Sequence, residues 1–249
     1  MRILYDRFPD PAVDTALSRA LLLRASDGSV AETLRLHVPH RIVAFGKRDT
    51  LEPGYAAAVR IARDSGFAAI ERLAGGRAAV FTEQTIAFAW TIPDPDPRSG
   101  IYERFQRLAA IIVAAFRRLG VTSAIGEISG EYCPGDYSVH YGGRIKLMGV
   151  GQRLARHAAH VGGVVVVNGS ADLRDLLARV YAALALEWNP STAGALADVV
   201  PGTTNEAVID AILTELGTQA TLVEGSLDEA TIELAHQLAA EHVSPASAP

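Results

Sequence analysis

The stretch "ERLAGGRAAVFTEQTIAFAW", residues 71–90, places a glycine pair and an arginine between two apolar runs and then alternates large and small side chains. Alternation with this period predicts strands, so two strands flank a glycine-rich connection. Gly75 and Gly76 lack Cβ atoms, which lets a ligand approach their backbone amides closely. Arg77 adds a positive charge beside them. The alternative is a tight turn, since Gly-Gly pairs are common turn formers.

Composition excludes several classes of protein. Of the 249 residues, 49% are hydrophobic and 20% are charged, which predicts a folded chain with a substantial core. A net charge of −5 without runs of like charge argues against a nucleic-acid partner. The N-terminus lacks the apolar segment of a signal peptide, and no stretch suits a membrane span, so we expect a cytoplasmic protein with no membrane partner. The single cysteine, Cys133, excludes an internal disulfide and a multi-thiolate site, and we expect no metal.

Helices and strands alternate on both sides of the opening stretch. Upstream, Asp10 is the predicted N-cap of a helix, and two short strands, "TLRLHV" and "RIVAFG", follow. Downstream, a long amphipathic helix ends at Gly120, and Gly142-Gly143 predicts a hairpin turn. After residue 170 the pattern is helical. The fold class that this order predicts is α+β, with a mixed, largely antiparallel sheet flanked by helices.

Two reactive side chains lie close together in the sequence. Cys133 lies in the polar loop "EYCPGDYS", whereas structural free cysteines usually lie in apolar runs. Lys146 lies in an otherwise apolar strand, where an ammonium group must pair or reach a ligand. If the hairpin folds back on the loop, the lysine can lower the pKa of the thiol. The alternatives are an inert loop thiol and an outward-facing lysine.

The order of these motifs resembles that of a known superfamily. "RLAGGRAAVF", "TIAFAW", "CPGDYSV" and "GGRIKLMGVGQR" are similar to the ordered motifs of the lipoate–protein ligases and octanoyltransferases, which include the biotin protein ligases, over residues 12–170. The resemblance implies the catalytic-domain fold of these enzymes, a Gly-rich segment lining the acyl tunnel, and a lysine on the acyl carbonyl. The substrate-binding residues that it implies are Arg72, Gly75, Gly76, Arg77, Phe88 and Gly149, with Val80, Phe81 and Met148 as further tunnel walls.

The "CPGDYSV" loop is most similar to the cysteine–lysine octanoyltransferases, which implies that Cys133 carries the acyl group and that Lys146 is its catalytic partner. The sequence departs from the superfamily in three places. Glu71 stands where paired arginines are frequent, Thr82 where a histidine is frequent, and "VGG" at 161–163 where His-Gly-Ser/Thr is common. These losses weaken an ATP-dependent ligase most, because an adenylate needs more positive charge.

The resemblance therefore implies an acyltransferase that moves an octanoyl group from a carrier-protein thioester to Cys133, and then to a lysine of a lipoyl carrier domain. The donor is acyl carrier protein or another acylated protein, backbone amides at residues 75–77 hold the oxyanion, and no cofactor is required. The alternatives are a ligase using ATP and Mg²⁺ to attach lipoate or biotin, and a non-catalytic acyl-binding protein. We expect the catalytic domain at residues 1–190, a helical cap or extension at 191–249, and a frayed tail at 242–249.

Overall fold

The computed structural model describes residues 1–245, which contain six α-helices and eleven β-strands. The helices are α1 (Pro11–Ser26), α2 (Tyr55–Asp64), α3 (Ile101–Arg118), α4 (Ser170–Ala183), α5 (Asn205–Gly217) and α6 (Glu229–Leu238). The strands are β1 (Arg2–Leu4), β2 (Thr33–His37), β3 (Ile42–Phe45), β4 (Ala68–Glu71), β5 (Ala79–Phe81), β6 (Thr85–Pro93), β7 (Ser123–Ile125), β8 (Val139–Tyr141), β9 (Ile145–Leu154), β10 (Ala158–Val166) and β11 (Val223–Glu224).

The strands form two sheets. The large sheet has the order β11-β1-β2-β6-β10-β9-β8-β7, and the small sheet has the order β4-β3-β5. Pairing is antiparallel except where β1 meets β11 and β2, and where β3 meets β4. The predicted class, α+β with a mixed and largely antiparallel sheet, is confirmed. The glycine-rich stretch connects β4 to β5 in the small sheet, and β6 then crosses into the large sheet.

Local sequence signals explain the main elements. The side chain of Asp10 accepts a hydrogen bond from the backbone N–H of Ala12 and so caps α1, as predicted. Gly120 follows α3 with a φ of 81°, a left-handed conformation that glycine adopts without a Cβ penalty. Gly142 and Gly143 have φ values of 60° and 65° between β8 and β9, which is the hairpin turn that their pairing predicts.

The helices cover the sheets and bury three apolar clusters. The largest lies between α3, α5 and the large sheet and includes the buried side chains of Trp90 and Phe116. A second joins the small sheet to α2 and α4, and a third surrounds α1. Leu196 and Ile212 belong to the first cluster, so residues beyond 190 share its core. The division of the chain at residue 190 stays a prediction. Within residues 1–245, no helix combines the length and apolar character needed to cross a membrane.

The prediction of a frayed tail is wrong for residues 242–245. The Nδ1 atom of His242 lies 2.7 Å from the carbonyl oxygen of Glu71, and the backbone N–H of Ser244 donates to the carbonyl of Ala69 at 3.2 Å. These contacts attach the segment to the free edge of β4. The residue pattern of the segment itself does not predict this pairing. Residues 246–249 of the predicted tail lie outside the described residues.

Candidate active site

The Gly-rich segment leaves β4 directly beside Cys133. Gly76 has a φ of 110°, and a Cβ atom built on it would lie 2.0 Å from Nη2 of Arg72 and 2.7 Å from Sγ of Cys133. At Gly75, by contrast, an added Cβ would meet nothing within 4 Å. The glycine at position 76 therefore makes room for an arginine and a thiol, and only Gly75 leaves its backbone open to a ligand.

The thiol of Cys133 receives two hydrogen bonds from this segment. Nη2 of Arg72 lies 3.1 Å from Sγ, and the backbone N–H of Arg77 donates to Sγ at 3.3 Å. Burial raises the pKa of Cys133, but the charges of Arg72 and Lys146 and these hydrogen bonds outweigh it and lower the pKa below the ordinary value. The half-buried thiol is therefore disposed to ionise, as a nucleophile requires.

The backbone at Cys133 is held in an unusual conformation. Its φ of 43° is left-handed, a region that residues with a Cβ rarely adopt. Its N–H donates to the hydroxyl of Tyr181 at 2.8 Å, and that hydroxyl donates in turn to the carbonyl of Ala78 at 3.0 Å. Contacts from α4 and the small sheet thus fix the turn that carries the thiol.

Lys146 reaches the same loop but contacts its backbone. The buried ammonium donates to Oε1 of Glu131 at 2.9 Å and to the carbonyl oxygens of Tyr132 at 3.0 Å and Cys133 at 2.8 Å. These bonds use all three of its donors. Glu131 also accepts from the hydroxyl of Ser138, which closes the loop on itself. In this geometry Lys146 acts on the thiol through its charge, whereas Arg72 touches it.

Arg77 takes a different position from the one that the sequence suggests. Its guanidinium points away from the thiol and pairs with Asp49 at 3.2 Å and Glu52 at 2.7 Å, so only its backbone N–H belongs to the site. Gly149 lies beside the stem of Lys146, where an added Cβ would be 3.2 Å from Cε.

Two cavities border the segment 72–76. The inner cavity lies between the two sheets and α1, and the outer cavity opens beside the thiol. Residues lining the inner cavity include Arg72, Ala74, Phe81, Ala87, Phe88, Ala89, Gly162 and Gly163. The outer cavity is lined by Gly75, Gly76, Ile101, Phe105, Cys133, Pro134, Val150, Gly151, Gln152 and Leu154. Phe81 and Phe88 thus border the inner cavity, whereas Val80 and Met148, predicted as tunnel walls, line neither cavity and lie buried in the apolar clusters.

Sequence reasoning missed Glu131 and Tyr181. Glu131 lies two residues before Cys133. An acidic residue in this loop, close in sequence to the strand that carries Lys146, could have indicated the ion pair between the two side chains. Tyr181 lies on α4, and its sequence context gives no sign of its contact with the loop. Within residues 1–245, no group of three or more His, Cys, Asp or Glu side chains is placed to hold a metal ion.

The fold and the site together define a protein of the lipoate ligase and acyltransferase type, in which a Gly-rich segment and the strand that carries the lysine border a cavity beside the thiol. Residues 10–217 match the lipoyl protein ligase A/B catalytic domain, and the chain belongs to this family. The predicted superfamily is thereby confirmed.

Known relatives agree with this assignment. The octanoyl-[GcvH]:protein N-octanoyltransferase of Geobacillus kaustophilus is 31% identical over 198 residues, which cover 80% of this chain and 68% of the relative. The enzyme of the same name from Bacillus velezensis is 29% identical over 76% of this chain and 66% of its own length. These matches confirm the predicted closeness to the octanoyltransferases. A structure from a study of a bi-partite lipoate protein ligase and its E2 lipoyl domain from Thermoplasma acidophilum has the same fold with a TM-score of 0.74, at 18% identity over 96% of this chain and 92% of that one.

Proposed function

We propose that the protein is an octanoyltransferase that carries the acyl group on Cys133 and delivers it to the ε-amino group of a lysine on a lipoyl carrier domain. The observation that carries the proposal is the half-buried thiol of the chain's single cysteine, which accepts hydrogen bonds from Arg72 and from the N–H of Arg77 beside two cavities. The names of the relatives, which are octanoyltransferases, support the same reaction.

The first half of the reaction forms an acyl-enzyme. The thiolate of Cys133 attacks the carbonyl carbon of the donor thioester, a new C–S bond forms, and the carbonyl electrons move to oxygen. When the carbonyl re-forms, the donor's C–S bond breaks, and its thiolate leaves and takes a proton from solvent. The N–H of Arg77 and the guanidinium of Arg72 already contact Sγ, so they lie within reach of the oxyanion on the adjacent carbon.

The second half transfers the acyl group to nitrogen. A neutral lysine amine of the acceptor attacks the thioester carbonyl, an amide bond forms, the C–S bond breaks, and the amine releases one proton to solvent. Cys133 leaves as a thiolate that the charges of Arg72 and Lys146 stabilise. The free energy of the thioester drives the amide bond, so neither ATP nor another cofactor is needed.

The two cavities suggest where each substrate lies. The inner cavity suits the acyl chain, because it lies between the sheets, is lined by Phe81 and Phe88, and shares with the thiol the side chain of Arg72, which lines the cavity and contacts Sγ. The outer cavity, which includes Gly75 and Cys133, suits the donor arm and the acceptor lysine. The names of the relatives point to octanoylated GcvH as a donor to be compared with acyl carrier protein. The E2 lipoyl domain named together with the Thermoplasma ligase supports a lipoyl domain as acceptor.

Intact-mass spectrometry tests the proposal, because the chain's single thiol identifies the adduct. Incubation with octanoyl acyl carrier protein or octanoyl-GcvH, without ATP, should add one octanoyl mass that hydroxylamine removes, and Cys133→Ser should abolish it. Transfer from free octanoic acid that needs ATP and survives Cys133→Ser would establish the ligase instead. Binding of octanoate without transfer from any donor would identify a non-catalytic binding protein.

A further inference from the structure

The two most exposed large apolar side chains of residues 1–245 lie on segments that border the thiol. Leu51 is 79% exposed and Tyr102 is 73% exposed, whereas the next, Val223, is 60% exposed on β11 at the edge of the large sheet. A single apolar side chain on a protein surface is ordinary. Two that are this exposed beside one cavity indicate a surface that contacts another molecule.

Leu51 is held next to the thiol by the residues on either side of it. It lies between Asp49 and Glu52, and both of these carboxylates pair with the guanidinium of Arg77. The backbone N–H of the same arginine donates to Sγ of Cys133. The exposed leucine therefore belongs to a segment that is fastened to the Gly-rich side of the site.

Tyr102 lies in the first turn of α3, on a different wall of the outer cavity. Ile101 and Phe105 line this cavity together with Cys133. Because Tyr102 follows Ile101 directly and precedes Phe105 by three residues, its side chain lies beside them on the helix. The two exposed apolar side chains thus approach the outer cavity from two separate segments.

Exposed cations accompany these side chains. Those that flank the outer cavity and form no ion pair within the described part of the chain include Lys47, Arg48, Arg98 and Arg156. The first two lie on the segment of Leu51. The last two line a third cavity, which shares Leu154 with the outer one and includes one carboxylate, that of Asp96. In a chain with a net charge of −5, these cations make the surroundings of the outer cavity locally positive.

The proposed reaction brings a protein against this surface. A lysine side chain has only a four-carbon stem, and the thiol of Cys133 is half-buried, so the domain that carries the acceptor lysine must itself contact the residues around the outer cavity. Acidic side chains around that lysine would meet the cations favourably. An apolar side chain among them would cover Leu51 and Tyr102, as in the apolar centre of a protein interface.

We infer that a docking rim around the outer cavity receives a lipoyl carrier domain whose surface beside the acceptor lysine is acidic and includes an apolar contact. The docking rim consists of Lys47, Arg48, Leu51, Arg98, Tyr102 and Arg156. This inference rests on the proposed function, because it takes Cys133 as the thiol that the acceptor lysine approaches. It adds the surface that binds the partner and the chemistry by which the partner is selected.

The test is binding of an unmodified E2 lipoyl domain to the full-length protein without any acyl donor, measured by isothermal titration calorimetry. Titrations at about 0.1 M and about 1 M salt compare screening lengths of about 10 Å and about 3 Å. Arg48→Glu and Arg156→Glu, from two sides of the cavity, should each weaken binding about fivefold at the lower salt and much less at the higher. Leu51→Ser should weaken binding about tenfold at both, because it removes apolar contact area.

Two matched controls lie away from the docking rim. Arg117→Glu reverses an exposed cation near the C-terminal end of α3, and Val223→Ser removes an exposed apolar side chain from β11. Both should bind the lipoyl domain as the parent does. Urea unfolding of every variant should match that of the parent, which separates a lost contact from a lost fold.

Each outcome decides the matter. Absence of binding by the parent, equal binding by the parent and the docking-rim variants, or an equal loss in the two controls would overturn the inference. Binding that depends on the docking rim, in a protein that forms no adduct on Cys133 with any octanoyl donor, would uphold the docking rim and defeat the proposed reaction alone. Acyl transfer through Cys133 to a lipoyl domain that the docking-rim variants bind as tightly as the parent would defeat the docking rim alone.

Discussion

Two neighbouring glycines provide a controlled test of the thiol environment. An alanine Cβ at position 76 would overlap Nη2 of Arg72, at 2.0 Å, and Sγ of Cys133, at 2.7 Å, whereas the same atom at position 75 would meet nothing within 4 Å. Gly76 also has a φ of 110°, which is strained for any residue with a side chain. Gly76→Ala should therefore displace the arginine from the thiol, and Gly75→Ala should not.

The size of the effect follows from the contacts that are lost. A hydrogen bond to a charged group contributes about 1.5–3 kcal/mol. Because Cys133 is half-buried, we take the lower end, which corresponds to about a tenfold loss in the acidity of the thiol. Backbone strain and overpacking should also lower the free energy of unfolding by about 1–3 kcal/mol.

Two measurements separate reactivity from stability. The pH dependence of iodoacetamide alkylation, followed by intact mass, reports the thiol, and urea unfolding reports the fold. Gly76→Ala should alkylate more slowly than the parent near neutral pH while remaining folded, with Gly75→Ala equal to the parent in both assays. If the two variants and the parent share one alkylation profile, the contact between Arg72 and Cys133 does not control the thiol, and this account of the site is wrong.

Two further predictions concern stability. Lys146→Met deletes the ammonium group that pairs with buried Glu131, so urea unfolding should show a loss of about 3–5 kcal/mol, and adding Glu131→Gln should recover part of it; an undiminished unfolding free energy would refute the pairing. Burial and the charge of Arg35 lower the pKa of both His37 and His160 from 6.5 to about 4. The unfolded chain therefore binds protons first as the pH falls, and stability should decline between about pH 6.5 and pH 4, by up to roughly 3 kcal/mol per histidine. His160→Leu should remove its share of that slope, and a flat profile in the parent would contradict these shifts.

The sequence predicted those features of the fold that local patterns encode. The N-cap at Asp10, the left-handed Gly120 and the hairpin at Gly142-Gly143 all depend on neighbours within a few residues, and all are present. The partition into two sheets was not predicted, because strands such as β1 and β11 are short and pair with segments that are distant in the chain. Strand alternation reports which face is buried and says nothing about which strand lies alongside.

The candidate site shows the same limit at the level of single residues. Composition and motif order selected Cys133, Lys146, Arg72 and the glycine pair, and the structure brings them together. Which of the three cationic side chains contacts the thiol could not be predicted from the sequence: Arg72 does, whereas Arg77 and Lys146 bind other groups. The guanidinium of Arg77 forms salt bridges with Asp49 and Glu52. Both acidic residues lie in the segment after β3, so the pairing depends on the tertiary position of that segment.

The three hydrogen bonds donated by Lys146 help to stabilise the strained backbone conformation of Cys133. A left-handed residue with a side chain costs about 1–2 kcal/mol, so it persists only where the surroundings outweigh that cost. Lys146 holds the carbonyl oxygen of Cys133 from one side and Tyr181 holds its N–H from the other, which leaves the peptide groups around the residue little freedom. The side chain then projects toward Arg72, whose contact with Sγ favours the thiolate. Orientation of the nucleophile thus comes from Lys146 and Tyr181, and the largest single contribution to lowering its pKa comes from Arg72, on a separate segment of the chain.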